Sequence, residues 1–193
     1  MNLTELFEYR RSYRRFIEEK PVAPECIRDM KMSLRLAPCA GNLQPLRYIF
    51  VSDRKLLEQL WPCLHWAAYL PPQLGTPAEG ERPPLVVMVL YEEGKAGRMV
   101  STDAGIALCN MTLAAAAHGV GSCILGNIER DRIRAVLGLD EHTVLFAAAA
   151  LGYPAHRSTV TDMKEDGSVK YYLDENRDYY VPKRKEEDFI SER

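Results

Sequence analysis

Cysteine is scarce in this chain and never paired. Cys26, Cys39, Cys63, Cys109 and Cys123 make an odd total of five, widely spaced, with no CxxC among them. That argues against a disulfide framework and a zinc site, and fits reduced thiols in the cytoplasm. The four histidines, His65, His118, His142 and His156, also stand apart, and none sits at metal-ligand spacing with a cysteine or carboxylate. No structural metal is expected. There is no GxGxxG after the first strand-like run and no GxxxxGKS/T, which argues against a nucleotide held on a Rossmann turn or a P-loop. No uninterrupted run approaches the roughly 18 apolar residues that span a bilayer. Met1-Asn2-Leu3-Thr4-Glu5 lacks the apolar core of a secretory signal. The expectation is a cytoplasmic protein with no membrane partner. A large excess of either charge is missing too: 25 Lys and Arg face 27 Asp and Glu, a net charge of -2. A nucleic-acid surface is not expected.

Against that near-neutral background stands one local knot of cations. Arg10-Arg11-Ser12-Tyr13-Arg14-Arg15-Phe16 puts four arginines and a hydroxyl within six positions. The planar guanidinium fork donates parallel bonds to phosphate oxygens and stays charged, so the knot can hold a phosphate. The alternative is a solvated helix end whose arginines pair with Glu5, Glu8, Glu18 and Glu19. The 193 residues are 47% hydrophobic and 27% charged, the make-up of one soluble globular domain over 1–193.

Periodicity places the elements. Thr4 is expected to cap a short helix through about Arg10, with Leu3, Leu6 and Phe7 on one face. Pro24 opens a second helix with Ile27, Met30, Leu34 and Ala37 on a buried stripe, and Pro38 ends it. A loop of small residues and amides follows, Ala37 to Pro45. Tyr48–Val51 reads as a strand, and Asp53 caps a helix over Arg54–Leu60. Six prolines within 62–84 predict an irregular covering loop after a Trp66–Leu70 turn. Leu85–Leu90 reads as a strand buried on both faces. Asp103–His118 is apolar all round, a helix that needs protein on every side, in the core or across a subunit interface. Asp103 reads as its N-cap or N-terminal charge. Gly119 and Gly121 stop it. Strands Ser122–Leu125 and Val144–Leu151 flank a helix from about Glu129 to Leu137. Asp166-Gly167 reads as a hairpin turn, with Val169–Leu173 and Tyr179–Val181 as arms. Pro182-Lys183-Arg184-Lys185 is a second basic cluster, by composition alone a mobile chain end. Strands and helices do not alternate strictly enough for a doubly wound sheet.

The order of these signals resembles the FMN-dependent nitroreductase family. An arginine-serine cluster follows helix one, and Asn42-Leu43-Gln44-Pro45 follows helix two. An apolar helix leads through Gly119-Val120-Gly121 to a Leu125-Gly126 step. Leu151-Gly152-Tyr153-Pro154 precedes the terminal Pro182-Lys183-Arg184. The resemblance spans roughly residues 3–189, and Glu79-Gly80-Glu81-Arg82-Pro83 is similar to a compact subgroup. It implies an α+β fold with a mixed, mainly antiparallel sheet flanked by helices. It also implies a homodimer with FMN in the groove between subunits.

Residue by residue, the resemblance gives Arg10, Ser12 and Arg14 to the phosphate, ribityl chain and pyrimidine edge, with Arg11 alongside. It gives Pro38, Cys39, Ala40, Asn42 and Gln44 to a loop reaching the cofactor from the other subunit. Cys39 departs from the serine common there. Leu125 and Gly126 match a step whose backbone lies on the flavin ring. Lys183 and Arg184 match a tail, here 174–193, that embraces the dimer and completes the phosphate site. No general acid or base stands out, which suits chemistry carried by a cofactor. The implied activity is an oxidoreductase passing electrons from NADH or NADPH through FMN to a small acceptor by a ping-pong mechanism. Nitroaromatics, quinones, enones and free flavins are the acceptor classes. The rival is a flavin-binding carrier or sensor without turnover.

Overall fold

Leu85–Glu92 (β2) is the centre of the molecule because six consecutive apolar residues leave it no wet face. The computed structural model describes all 193 residues. β2 pairs antiparallel with Leu46–Val51 (β1) on one side and Thr143–Gly152 (β4) on the other. Gly121–Leu125 (β3) adds to β4, giving the order β1-β2-β4-β3. Side chains of β2 alternate between two cores. Val86, Met88 and Leu90 face one; Leu85, Val87 and Val89 face the other.

Two helices cover the second face. Pro24–Arg35 (α2) turns Cys26, Met30 and Leu34 inward, and Val100–Ala117 (α5) turns Ala104, Ala107, Leu108 and Met111 inward. The first face is covered by Arg54–Leu60 (α3), Arg130–Leu137 (α6) and a 3-10 turn at Trp61–Cys63. Asp53 caps α3 as expected, accepting from the Leu56 N–H. A second sheet follows β4: Ser158–Asp162 (β5), Tyr172–Leu173 (β6) and Tyr179–Lys183 (β7), in the order β5-β7-β6. β5 and β7 run parallel and β6 and β7 antiparallel, so the fold is α+β with a mixed, mainly antiparallel strand set.

Four expectations need correction. The first helix, Leu3–Tyr9 (α1), is capped by Asn2 rather than Thr4. Asn2 accepts from the Glu5 N–H and Glu5 returns to the Asn2 N–H, so one pair satisfies two end donors. The 62–84 loop holds a short helical turn, Pro72–Gly75 (α4), that its prolines obscured. Asp166-Gly167 forms a turn, but the β6–β7 hairpin closes instead at Asp174–Asp178, where Asp174 accepts from the Asn176 and Asp178 N–H groups. Finally, α5 has the length and composition of a membrane span despite its interruptions, yet eight of its eighteen residues are buried within this chain.

Two glycines set the course of the arginine segment. A Cβ on Gly121 would lie 2.7 Å from Tyr13 Cδ2, and one on Gly152 would lie 3.0 Å from Phe16 Cβ. Only glycine lets residues 12–17 lie so close to the ends of β3 and β4. The segment is then stitched down: the Tyr13 N–H donates to the Ser122 carbonyl, Ala155 N–H to Arg15, and Ile17 N–H to Tyr153.

Candidate cofactor site

Arg10, Arg11 and Arg14 have no carboxylate partner anywhere in the chain. The glutamates expected to neutralise them are engaged elsewhere or unpaired. Glu5 belongs to the α1 cap, and Glu18 and Glu19 both pair with Arg54, at 2.6 and 3.5 Å. Arg15 alone is neutralised, buried against Glu81 at 3.4 Å. The Nε atoms of Arg10 and Arg11 are buried without any hydrogen-bond partner. Leaving such donors unmade is costly, so the pair is suited to an anion that the chain itself does not supply. Burial first, then the Arg10 charge, push the Arg11 guanidinium below its ordinary value, which a bound anion would reverse.

The rest of this side is built from β3 and the second sheet. Ser12 bridges to Ser122, next to the buried Cys123, whose thiol burial pushes up to about 11. Leu125 is buried in the same core as Tyr13, while Gly126 is exposed. A Cβ at Gly126 would meet nothing within 4 Å, and its φ is not in the left-handed region. Nothing in this chain therefore requires glycine there, which leaves room for close approach by another molecule. The Arg14 guanidinium lies over two rings, 4.4 Å from the Tyr171 centroid and 4.9 Å from the Tyr179 centroid. Its backbone N–H donates to His156 Nε2 at 3.0 Å.

The loop residues stand elsewhere. Pro38, Cys39, Asn42 and Gln44 line a cavity of about 500 Å³, with Lys31, Tyr48 and Asp103. Gly41, Asn42 and Gln44 all have positive φ, at 58°, 52° and 49°. For Gln44 that conformation is strained, and strain of this kind gathers at functional loops. Two contacts hold the loop in shape. The Gln44 N–H donates to Cys39 Sγ at 3.2 Å, and the Ala40 N–H donates to Asp103 Oδ1 at 2.9 Å. Cys39 is thus an acceptor within the loop. Asp103 is not the helix cap, since α5 starts at Val100, but it is the negative charge of the first turn, as the other expectation had it, and it reaches across to fix Ala40. Burial, with the nearby Cys39 and Asp103, pushes the Tyr48 hydroxyl up to about 12.

Within one chain these residues form separate groups. Arg10–Arg14 and Leu125–Gly126 belong to one face of the four-stranded sheet, and Pro38–Gln44 to the other. No hydrogen bond or ion pair joins them. Lys183 and Arg184 are exposed at the end of β7, with Arg184 resting on Phe189, 5.0 Å from its ring centroid. Sequence reasoning missed His156, Tyr171 and Asp103's role. An isolated histidine after Gly-Tyr-Pro gives no local signal that its partner lies 142 residues away.

The Nitroreductase family model matches residues 7–153, which include the arginine segment, the loop and the Leu125-Gly126 step but not the tail. The chain belongs to the nitroreductase family. A relative from Archaeoglobus fulgidus, provisionally named as an NADH dehydrogenase/NAD(P)H nitroreductase, is 31% identical over 154 residues, covering 76% of this chain and 82% of its own. An NADH dehydrogenase of Thermus thermophilus is 30% identical over 172 residues, covering 76% and 83%. Among solved structures, a provisionally named nitroreductase of Desulfovibrio desulfuricans in complex with FMN has a TM-score of 0.69 and 23% identity, covering 86% of this chain and 94% of that one. The family fold is thus the fold described above.

Proposed function

We propose that this protein is an FMN-dependent oxidoreductase. The observation that carries the reading is the set of three uncompensated arginines, two with buried and unpartnered Nε atoms, inside the segment matched to the family. Family relatives named for NADH or NAD(P)H oxidation support it, as does the FMN bound by the Desulfovibrio neighbour. The residues present fit that cofactor. Arg10 and Arg11 would hold the phosphate, Ser12 a ribityl hydroxyl, and Arg14 the pyrimidine edge. The open space at Gly126 would admit the ring face, beside buried Leu125.

When bound, FMN would supply the redox chemistry, carrying electrons from NADH or NADPH to a small nitroaromatic, quinone, enone or flavin, with donor and acceptor using one pocket in turn. The chain's part is to bind, orient and exclude water. Arg14, clamped on Tyr171 and Tyr179, offers a fixed positive charge at low reorganisation cost.

The reading includes a homodimer that brings the 38–44 loop of one subunit to the arginines of the other. Unsatisfied apolar surface supports it. Leu3 and Phe7 of α1 are 67% and 46% exposed, and α1 lies against α5. On α5 itself Gly105 is exposed, and a Cβ there meets nothing in this chain. A mid-helix glycine costs stability relative to alanine, about 1 kcal/mol, unless close approach of another helix requires it. Lys183 and Arg184 of the tail would complete the phosphate site in that assembly.

The test is flavin titration followed by anaerobic mixing with NADH and NADPH separately. Protein that is incubated with FMN, desalted and left colourless would defeat the proposal. Stoichiometric FMN that neither nucleotide reduces would instead favour a carrier.

A further inference from the structure

Residues 12–17 run between β3 and the 153–155 strand end, and three of their main-chain donors find main-chain acceptors. Tyr13 N–H goes to Ser122, Phe16 N–H to Glu81 and Ile17 N–H to Tyr153, each at 2.8 Å. The Arg14 N–H has no main-chain acceptor. It is taken by the side chain of His156, at 3.0 Å from Nε2. The other ring nitrogen, Nδ1, lies 2.7 Å from the Arg157 carbonyl. An amide can only donate and a carbonyl can only accept. The ring is therefore neutral, with its proton on Nδ1 and its lone pair aimed at Arg14.

The same ring also reaches Arg14 from the side-chain end. It packs against Tyr179 at 4.8 Å between centroids, and Tyr179 in turn lies under the Arg14 guanidinium. Tyr13 closes the other side at 5.4 Å. The charged groups facing the ring are Arg14 and Arg15 from the segment and Asp178 from the β6–β7 turn. Burial comes first, in a residue only 8% exposed, and with the Arg15 and Arg14 charges it outweighs the Arg157 carbonyl and Asp178 and keeps the imidazole uncharged.

We infer that His156 is a positioning residue for Arg14: its Nε2 anchors the Arg14 backbone and its ring backs the tyrosine on which the guanidinium lies. This rests on the cofactor reading above, in which Arg14 meets the flavin ring. His156 itself touches no ligand.

The experiment is a double-mutant cycle on the full chain, read by titration with FMN and with riboflavin. His156→Leu should weaken both ligands about tenfold, since an acceptor for a buried amide is lost. His156→Gln, whose carbonyl reaches the same donor, should recover most of that. In an Arg14→Ala background the His156→Leu loss should shrink to less than about twofold, because nothing remains to be aimed. Without any ligand, Arg14 amide exchange should be slow in wild type and His156→Gln and fast in His156→Leu. Should His156→Leu not fold, the nitrogen NMR of wild type still decides, since Nε2 must be pyridine-type. A protonated Nε2, additive losses across the cycle, or an Arg14 amide indifferent to His156→Leu would each overturn the assignment. Wild type that binds neither flavin overturns the cofactor reading and this role together; binding with additive losses overturns the role alone.

Discussion

Glu81 grips Arg177 with both carboxylate oxygens, Nη1 to Oε1 at 3.0 Å and Nη2 to Oε2 at 3.1 Å. The same Oε1 meets Arg15, which in turn donates to the Arg177 carbonyl. One side chain from the 62–84 loop thus ties down the arginine segment and the β6–β7 turn. Neighbouring Gly80 and Arg82 donate their N–H groups to Glu18 Oε2, so the whole Glu79–Pro83 motif is a clamp. Burial would raise the Glu81 carboxyl, but hydrogen bonds from Arg177 and Ala78 and the charges of Arg177 and Arg15 outweigh it and hold it below its ordinary value.

Glu81→Gln should therefore cost about 1–2 kcal/mol, less than a fully buried pair because Arg177 is partly exposed. It should also open the 174–178 turn to protease. Urea denaturation with limited proteolysis checks both, and an unchanged midpoint with an intact turn would contradict the clamp.

Much of this was legible in advance, and the reasons differ by element. β2 announces itself because burial on both faces needs an unbroken apolar run, and α5 because its side chains are almost all apolar or small, although only eight of its eighteen residues are buried within this chain. The order of short motifs pointed to the family because each local signal was weak but their sequence was not. The clamp and His156 could not be read, since a histidine and its partner amide are far apart along the chain. Asp103 was read as a cap or an N-terminal charge. It is the acidic residue of the first turn of α5, but its bond to the Ala40 N–H could not be foreseen, because a carboxylate near a helix start gives the same local signal whether it turns to its own helix or to a loop. The site's full extent was not legible within one chain, and its groups still lie on two faces.

Arg10→Ala should weaken FMN binding by about 1.5–3 kcal/mol, the worth of a hydrogen bond to a charged group. Riboflavin, lacking the phosphate, should lose far less. Parallel titrations decide the point, and equal losses would remove Arg10 from the phosphate.

Asp103→Leu leaves the Ala40 N–H without its acceptor in a loop already strained at Asn42 and Gln44. The expected cost is about 1–2 kcal/mol in stability, with Cys39 becoming faster to react with a thiol reagent as the loop loosens. Unaltered Cys39 kinetics would show that the loop holds itself.

Stability should fall with pH in a range set by His156. Its pKa is pushed down to about 4, by burial first and then by the Arg15 and Arg14 charges, against the Arg157 carbonyl and Asp178. Above about pH 6.5 the ring is neutral in both states and its stabilisation is complete. Between about 6.5 and about 4 the unfolded chain binds a proton that the native chain refuses, so stability declines as pH falls. At about pH 5 the loss should approach 2 kcal/mol relative to about pH 7, and His156→Gln should lack that share of the slope. Parallel slopes for the two proteins would mean that the ring titrates normally.

The tail divides into two parts with different jobs, which two truncations can separate. β7 is the middle strand of the second sheet, paired with both β5 and β6. Its Tyr179 is 1% exposed and supports His156 and Arg14. Beyond it, 184–193 is exposed and holds only a 3-10 turn, Glu186–Asp188. Deleting 184–193 should leave the monomer's stability unchanged within about 0.5 kcal/mol, the range of surface changes. If Arg184 serves the phosphate across a dimer, the same deletion should still weaken FMN more than riboflavin. Deleting 174–193 removes the central strand and should cost both stability and affinity for either flavin, because Arg14 loses its platform. Sedimentation and the two titrations distinguish these outcomes. A 174–193 deletion that keeps full riboflavin affinity would mean that Arg14 needs no support from β7, and that the second sheet is an appendage to the site.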